Sequence, residues 1–192
     1  MKRDIILAGV GGQGILSIAA VIGMAAVDSG LNLKQAEVHG MSQRGGAVQS
    51  HLRISDQPIA SDLIPEGKCD MILSVEPMEA LRYLPYLSPE GWVITSSKFF
   101  RNIDDYPQEE AIYSALREVK NHLIIDASEI ARQLGSQKVS NMVMLGSASR
   151  YLDLTMESLH HALGALFGRK GEEIVQLNIS ALEAGQHAAG LD

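Results

Sequence analysis

Short apolar runs alternate with longer helical stretches along this chain, and this alternation limits the folds that the chain can adopt. Runs typical of strands lie at residues 4–10, 32–39, 47–54, 70–75, 92–96 and 122–126. Apolar residues at helical spacing predict helices at residues 15–29, 76–84, 108–120, 128–134, 140–152, 155–167 and 172–189. Strands that alternate with helices favour an α/β fold, a mostly parallel, doubly wound, Rossmann-like three-layer sheet with helices on both faces.

The second and third strand-like runs depart from this alternation, because no helical stretch separates them. We therefore expect a hairpin-like pair at one edge of the sheet. No internal repeat, low-complexity block or linker rich in Pro, Gly and Ser divides the 192 residues, so a single domain over residues 1–192 is expected. Residues 98–107 are the least regular segment, and we interpret them as a surface loop.

Charge and hydropathy exclude several classes of partner. The net charge is −7 and no run of Lys or Arg occurs, so neither a nucleic acid nor an anionic membrane is expected as a partner. No apolar stretch approaches the roughly 18 residues that a membrane helix needs. The apolar run at the amino terminus is too short for a signal peptide and ends in glycines, so we interpret it as a strand. A cytoplasmic protein is expected.

Cysteine content restricts the redox chemistry of the chain. Cys69 is its single cysteine, so an intrachain disulfide is impossible. A cluster held by four thiolates and a Cys-rich zinc site are also excluded. The six histidines lack ligand spacing, and no metal site is predicted. Any electron-transfer cluster that works with this chain must therefore lie on another chain.

A first glycine loop follows the first predicted strand. Gly9, Gly11 and Gly14 match the pattern G-x-G-x-x-G immediately before a predicted helix. Such a loop lets backbone approach a ligand, and the helix amino terminus favours an anion. Glu37, near the end of the second strand, matches the acid that dinucleotide-binding folds place at a ribose. The simpler alternative is that the glycines only permit close packing of the strand against the helix.

Two features of the sequence disfavour a nicotinamide or flavin dinucleotide. The loop carries an additional Gly12 and a polar Gln13, whose amide can face a ligand or a neighbouring chain. In addition, Glu37 is followed by a loop instead of a second helix, so the usual second βαβ unit is missing. Gly11, Gly12, Gln13 and Gly14 remain candidate binding residues, and a freestanding NAD(P)-dependent oxidoreductase remains the alternative.

A second glycine loop, residues 37–46 (EVHGMSQRGG), joins the second and third strands. Arg44 offers a planar fork suited to phosphate or carboxylate, and the two glycines after it can form an anion-binding nest of backbone amides. The simpler alternative is a hairpin turn with a solvated arginine. The candidate binding residues of this loop are Ser42, Gln43, Arg44, Gly45 and Gly46.

Polar residues beyond the glycine loops have simpler interpretations. Glu76 stands where a helix begins and is expected to cap it or to face a partner, rather than to act as a general base. Glu79 and Arg82, three residues apart, are expected to form a solvated pair on that helix. Asn141 is expected to cap its helix or to join it to the first glycine loop. We assign no catalytic acid, base or nucleophile to this chain.

Together these segments resemble a known family. GVGGQG after the first strand, EVHGMSQRGGAVQSHLRI, LIPEGKCDMILSVEPMEALRYLPYL and SNMVMLGSASRYL occur in this order. They are similar to the γ-type module of 2-oxoacid:ferredoxin oxidoreductases, and the indolepyruvate type is the most similar of these. The likeness runs from the first strand to about Leu152. The first three motifs in the right order are more specific than one glycine loop.

The resemblance implies a function that this chain shares with a partner. Family members decarboxylate a 2-oxoacid on thiamine diphosphate, pass two electrons through [4Fe–4S] clusters to ferredoxin, and release an acyl-CoA. In the indolepyruvate type, a large α subunit is understood to hold the thiamine diphosphate and the clusters. This chain is then expected to carry no cofactor of its own. It is expected to be inactive when isolated, because one thiol cannot ligate a cluster, and homodimeric, because the surface around the two glycine loops is expected to be a partner interface.

The substrate implied by the resemblance is an arylpyruvate such as indolepyruvate. Both glycine loops and Asn141 are then expected to bind an anionic part of CoA or of a cofactor, or to line the subunit interface. A third alternative is an assembly module that stabilises the large partner without reaching its active site.

Overall fold

The computed structural model describes residues 1–40 and 45–190, except for the side chain of His39. Ser42, Gln43 and Arg44 lie outside these residues, so their predicted roles stay predictions. The strands are β1 (Lys2–Val10), β2 (Asn32–His39), β3 (Ala47–Ser55), β4 (Cys69–Ser74), β5 (Leu87–Ser96) and β6 (His122–Ile125). The helices are α1 (Ile15–Asp28), α2 (Pro77–Arg82), α3 (Glu109–Glu118), α4 (Ala127–Gln133), α5 (Ser140–Ala148), α6 (Met156–Phe167) and α7 (Glu172–Ala188).

These elements follow the predicted ones closely. The bounds of β2 are those predicted from its alternation, and most other elements begin and end within two residues of the prediction. The main difference is β5, which begins at Leu87, five residues before the predicted start. Among the described residues, no helix is long and apolar enough to cross a membrane.

The described strands form one six-stranded sheet in the order β2-β3-β1-β4-β5-β6. The neighbouring strands β1, β4, β5 and β6 pair in parallel, whereas β3 is antiparallel to both β1 and β2. The prediction of a mostly parallel α/β sheet is therefore confirmed, as is the hairpin of β2 and β3. Because β3 pairs with β1, it separates β2 from the centre of the sheet.

A buried ion pair joins β1 to β3 at two positions that lie opposite each other. Asp4 lies opposite Arg53, and its side chain is fully buried. The arginine donates to both carboxylate oxygens, from Nε at 2.7 Å and from Nη2 at 3.0 Å. Shifting the strands by one residue would leave this buried carboxylate without its fork of donors, at a cost of several kcal/mol. The pair therefore specifies the register of β1 against β3.

The sheet is covered on both faces, as predicted. Along β1, Ile5 and Leu7 face one hydrophobic cluster, while Ile6 faces the other. The larger cluster is formed with α1, α4, α5, α6 and α7, and the smaller one with α2 and α3. Alternate side chains of a strand point to opposite faces, so a strand buried on both faces is apolar throughout its centre.

The close packing of α5 against α7 depends on two glycines. A Cβ added to Gly146 would lie 1.8 Å from the carbonyl oxygen of Leu182, and one added to Gly185 would lie 2.0 Å from that of Val143. Each helix thus presents a glycine to the backbone of the other. This contact sets the position of α5, whose first turn reaches the first glycine loop.

Replacing Gly146 with alanine should therefore destabilise the protein. The added methyl group must push the two helix backbones apart, and we expect a loss of about 3 kcal/mol in the free energy of unfolding. Urea denaturation measures this loss.

Gly164→Ala is the matched control. Gly164 lies in α6, and a Cβ there has nothing within 4 Å. Since alanine is the better helix former, this substitution should stabilise the protein by about 1 kcal/mol. Equal effects at the two positions would show that the contact between α5 and α7 tolerates a methyl group.

Candidate functional site

The first glycine loop lies at the carboxyl end of the parallel strands. It leaves β1 after Val10 and enters α1 at Ile15. Val75 after β4, Ser96 at the end of β5 and Ala127 after β6 lie at the same edge of the sheet. Ligands of open α/β sheets bind in the crevice outside this edge, which makes it the candidate functional site.

The two glycine loops contact each other. Gly11 N donates to Gly46 O at 2.8 Å, and Gly45 N donates to Gly11 O at 3.5 Å. These contacts extend the pairing of β1 with β3 beyond Val10 and Ala47, which are opposite each other in the register. The two loops, whose contacting glycines are more than thirty residues apart in the chain, therefore form one surface.

The first loop is closed by its own side chain and by α5. Gln13 Oε1 accepts a hydrogen bond from Val10 N at 2.7 Å, so the carbonyl end of this side chain faces the loop. Gly14 has a φ of 81°, and a Cβ there would lie 2.5 Å from Asn141 Nδ2. Asn141 donates from Nδ2 to Gly14 O at 3.2 Å. Asn141 therefore joins α5 to the first loop, as predicted.

A cleft of about 460 Å³ opens beside this loop. One wall carries Gly12 and Gly14, and the opposite wall carries Phe167, Ile174 and Leu177 from α6 and α7. In α1, no side chain of the described residues caps the first turn, because Gly14 occupies the N-cap position. The amino terminus of α1, with its free backbone amides and the positive end of the helix dipole, therefore lies at the cleft.

A smaller cleft of about 210 Å³ lies on the other side of Gly12 and Gln13. Lys98, Ser128 and Ser140 contribute to its lining, together with Ser96 from β5. The first glycine loop thus forms the ridge between two clefts, and both clefts open at the carboxyl edge of the sheet.

Three lysines make the site cationic in a chain whose net charge is −7. Lys138 and Lys170 line the larger cleft, and Lys98 lines the smaller one. Within the described residues, none of the three forms an ion pair, although Lys2, Lys34 and Lys120 each pair with an acid. An anion bound against the loop would meet charges that are not already neutralised.

The geometry disagrees with a dinucleotide site of the usual kind. Glu37 lies on β2, and β3 separates that strand from β1. One additional strand spacing places it about 5 Å further across the sheet than an acid on an adjacent strand. An acid so placed does not share the crevice of the glycine loop in the way that a ribose contact requires.

Cys69 is a core residue with an inert thiol. It is fully buried, and its Sγ donates to Met71 O at 3.0 Å. Burial raises the pKa of this thiol to about 12, so it stays protonated at neutral pH. No group of three or more His, Cys, Asp or Glu side chains suited to a metal ion occurs in the described part of the chain.

Comparison with known proteins identifies the family. The family model for pyruvate ferredoxin/flavodoxin oxidoreductase matches residues 4–188. Indolepyruvate oxidoreductase subunit IorB of Archaeoglobus fulgidus is 37% identical over 98% of this chain and 96% of its own length. The subunit of the same name from Methanothermobacter thermautotrophicus is 34% identical over 98% of each chain.

The chain belongs to the pyruvate ferredoxin/flavodoxin oxidoreductase family. The resemblance inferred from its motifs is thereby confirmed, and so is the prediction that it is a subunit of a 2-oxoacid oxidoreductase. Its fold is shared with a solved 2-oxoglutarate:ferredoxin oxidoreductase from Magnetococcus marinus, with a TM-score of 0.77 and 22% identity. That match covers 98% of this chain and 31% of the solved chain.

In this family member, the structure brings together the predicted residues that it describes. These are Gly11, Gly12, Gln13, Gly14, Gly45, Gly46 and Asn141. Sequence reasoning missed the three lysines and Phe167, because none of them belongs to a motif. The lysines lie in segments that connect helices and strands, and Phe167 is the last residue of α6. Their placement depends on how α5, α6 and α7 pack.

The prediction for Glu76 as a helix cap is confirmed. Glu76 is the N-cap of α2, and its Oε2 accepts from Glu79 N at 2.9 Å. The prediction of a solvated Glu79–Arg82 pair is wrong for the glutamate, whose side chain is fully buried. Arg82 Nε lies 3.0 Å from the Glu79 carboxylate and is itself half-exposed. The start of α2 lies against residues 98–107, because Glu76 accepts hydrogen bonds from Phe100 N and from the Tyr106 hydroxyl.

Burial of Glu79 makes stability depend on pH in a specific direction. Burial raises the pKa of Glu79 above its ordinary value of 4.5, although the neighbouring Arg82 lowers it. A carboxyl group whose folded-state pKa is raised contributes stability that is lost as pH rises through that pKa. Glutamine does not ionise, so the Glu79→Gln variant does not lose this stability as pH rises. Its free energy of unfolding relative to the wild type should therefore increase from roughly pH 4 to pH 7.

Glu129→Gln is the matched control for this pH series. Asp126, Glu129 and Arg132 repeat the arrangement of Glu76, Glu79 and Arg82 on α4, but the Glu129 side chain is 41% exposed, whereas that of Glu79 is buried. Its hydrogen bond from Arg132 lowers the pKa of Glu129, so its contribution is present at neutral pH and lost in acid. The Glu129→Gln series should slope in the opposite direction. Parallel slopes measured by urea denaturation would contradict the assignment.

Proposed function

We propose that this chain is the subunit without redox cofactors of an indolepyruvate, or related arylpyruvate, ferredoxin oxidoreductase. The enzyme would convert the 2-oxoacid oxidatively to an acyl-CoA and pass the electrons to ferredoxin. The names of relatives that are 34% and 37% identical over nearly their whole lengths support this substrate class.

The redox cofactors fit a partner better than this chain. A [4Fe–4S] cluster needs several thiolates, whereas the one cysteine here is buried and protonated. Thiamine diphosphate binds through a metal ion, and no cluster of metal-ligating side chains occurs in the described residues. We therefore assign thiamine diphosphate and the [4Fe–4S] clusters to a large α subunit, which would also deliver electrons to ferredoxin.

The contribution of this chain is to hold CoA against the glycine loops. The observation that carries this proposal is the larger cleft, where the uncapped amino terminus of α1 borders the same space as Lys138 and Lys170. Amides at a helix amino terminus and lysine ammonium groups are both phosphate-binding elements. The solved 2-oxoglutarate:ferredoxin oxidoreductase, which shares this fold, has coenzyme A and succinyl-CoA bound.

Each wall of the cleft suits a different part of CoA. The glycine ridge and the lysines would bind phosphate groups, and the aromatic face of Phe167 with Ile174 and Leu177 offers an apolar surface for the adenine or the pantetheine arm. Ser17 and Asn178 supply polar groups at the same cleft. Arg44, on the second glycine loop, would add a further phosphate or carboxylate contact, as predicted from the sequence.

The isolated chain should contain no iron and should show no oxidoreductase activity, because one buried thiol cannot ligate a cluster. The measurement is iron content and viologen reduction by the anaerobically purified chain, supplied with indolepyruvate, CoA and thiamine diphosphate. Stoichiometric iron or turnover by this chain alone would contradict the assignment of the cofactors to a partner.

In the assembled enzyme, Lys138→Gln should weaken the use of CoA. Loss of one charge-assisted contact to phosphate is worth about 1.4 kcal/mol, so the KM for CoA should rise about tenfold. The KM for indolepyruvate and kcat at saturating CoA should stay unchanged, because the lysine does not face the oxoacid. Steady-state kinetics with each substrate varied in turn measures this difference.

Lys68→Gln is the control for Lys138→Gln. Lys68 precedes β4 and therefore lies at the amino edge of the sheet, opposite the cleft, and it is also solvent-exposed. The same loss of charge there should leave the KM for CoA unchanged. If Lys138→Gln lowers only the affinity between subunits and not the use of CoA, the chain is an assembly module and the CoA proposal fails.

A further inference from the structure

Glu76 has more partners than its role as a helix cap requires. Its side chain is fully buried, and its second oxygen, Oε1, accepts from Phe100 N at 3.3 Å and from the hydroxyl of Tyr106. Among the described residues, no cation pairs with it. A buried carboxylate is stable only when hydrogen bonds replace its lost water, so these donors are integral to the fold at this position.

The two donors belong to one loop, residues 98–107, which we call the strap. The strap follows β5 and precedes α3, and Glu76 fastens it at Phe100 and again at Tyr106. Burial and the hydrogen bond to Glu76 raise the pKa of Tyr106, so its phenol keeps the proton that it donates. The Tyr106 ring also packs edge-on against Phe99, with centroids 6.2 Å apart.

Between its two fastened points, the strap reaches the second glycine loop. Asn102 Nδ2 donates to Gly45 O at 2.8 Å. Gly45 and Gly46 in turn bond the backbone of Gly11 in the first loop. A continuous series of hydrogen bonds therefore leads from the buried Glu76 carboxylate, through the strap, to the ridge of the candidate site.

We propose that Glu76 and Tyr106 are positioning residues, which hold the strap so that Asn102 fixes the second glycine loop against the first. The proposal concerns the order of this chain's own loops and holds for any ligand of the site. It extends the role of Glu76 from capping one short helix to shaping a surface on the other side of the strap.

The geometry explains why the second glycine loop benefits from the hydrogen bond of Asn102. In the parts of the two loops that the structure describes, backbone bonds join them at Gly11, Gly45 and Gly46, and glycine backbones have the greatest conformational freedom to lose on ordering. An external hydrogen bond from Asn102 restricts Gly45 directly. The restraint is only as firm as the strap, which has no helix or strand of its own and depends on Glu76.

Hydrogen exchange of backbone amides tests this proposal in the full chain. Tyr106→Phe removes one of the two bonds to the strap, so the Gly11 amide, which donates to Gly46 O, should exchange roughly tenfold faster. The Ile72 amide, in the centre of β4, should keep its rate. Acceleration of both amides by the same factor would mean general destabilisation and would overturn the proposal.

Tyr113→Phe is the matched control. The Tyr113 hydroxyl donates to Ser97 O at 2.8 Å, so this change removes the same kind of bond just before the strap, away from Asn102. It should leave Gly11 exchange unchanged. Glu76→Gln can prevent folding, so Asn102→Ala is the second variant. Asn102 takes no part in the hydrogen bonds of the buried Glu76 carboxylate. Unchanged Gly11 exchange in Asn102→Ala would overturn the proposal.

A double variant shows whether the effect passes through Asn102. If Tyr106 acts by positioning Asn102, adding Tyr106→Phe to Asn102→Ala should not accelerate Gly11 exchange further. Additive acceleration would overturn the proposal, because the two residues would then act separately.

Kinetics of the assembled enzyme provide a second readout, and this readout rests on the proposed function. Tyr106→Phe should raise the KM for CoA by roughly threefold and leave kcat unchanged, since the strap contacts the loops and not the reacting atoms. Local acceleration of Gly11 exchange with an unchanged KM would support the positioning role and count against the CoA proposal. The two proposals can therefore fail independently.

Discussion

The candidate site depends on the register of β1 against β3, which the buried Asp4–Arg53 pair specifies. Arg53 donates to both oxygens of a carboxylate that has no contact with water. A slip of one position would place Leu52 or Ile54 opposite Asp4 and so break this pair. At the other end of the same strands, the register places Gly11 beside Gly46. A charge pair at one edge of the sheet thus determines a loop contact at the opposite edge.

The position of β3 between β1 and β2 distinguishes this chain from dinucleotide-binding proteins that share its first glycine motif. In those folds a second βαβ unit places the second strand beside the first, with an acid facing the ribose. Here the hairpin places β3 in that position and moves Glu37 outward by one strand. The glycine ridge is left with a second glycine loop as its neighbour, and with lysines instead of an acid around it. Such a surface suits phosphate groups of a ligand or carboxylates of a partner chain.

Hydrogen bonds from three side-chain amides order this surface. Asn141 joins α5 to Gly14, Gln13 closes its own loop, and Asn102 reaches Gly45. Each of these amides bonds to backbone, so the loops are ordered without an apolar core of their own. The position of α5 in turn follows from the contact of Gly146 with α7, where two backbones meet with no side chain between them. Packing far from the ridge therefore contributes to its shape.

The sequence by itself determined the order and the approximate bounds of the elements, the covering of both faces and the hairpin after Glu37. These features depend on the periodicity of apolar residues, which is a local property. It also identified both glycine loops and the link from Asn141. Only the tertiary structure decided that the two loops touch, that Lys138 and Lys170 share their cleft, and that Glu79 is buried while the similar Glu129 is exposed. Burial and proximity of residues distant in the chain depend on strand order and helix packing, and no local pattern encodes either.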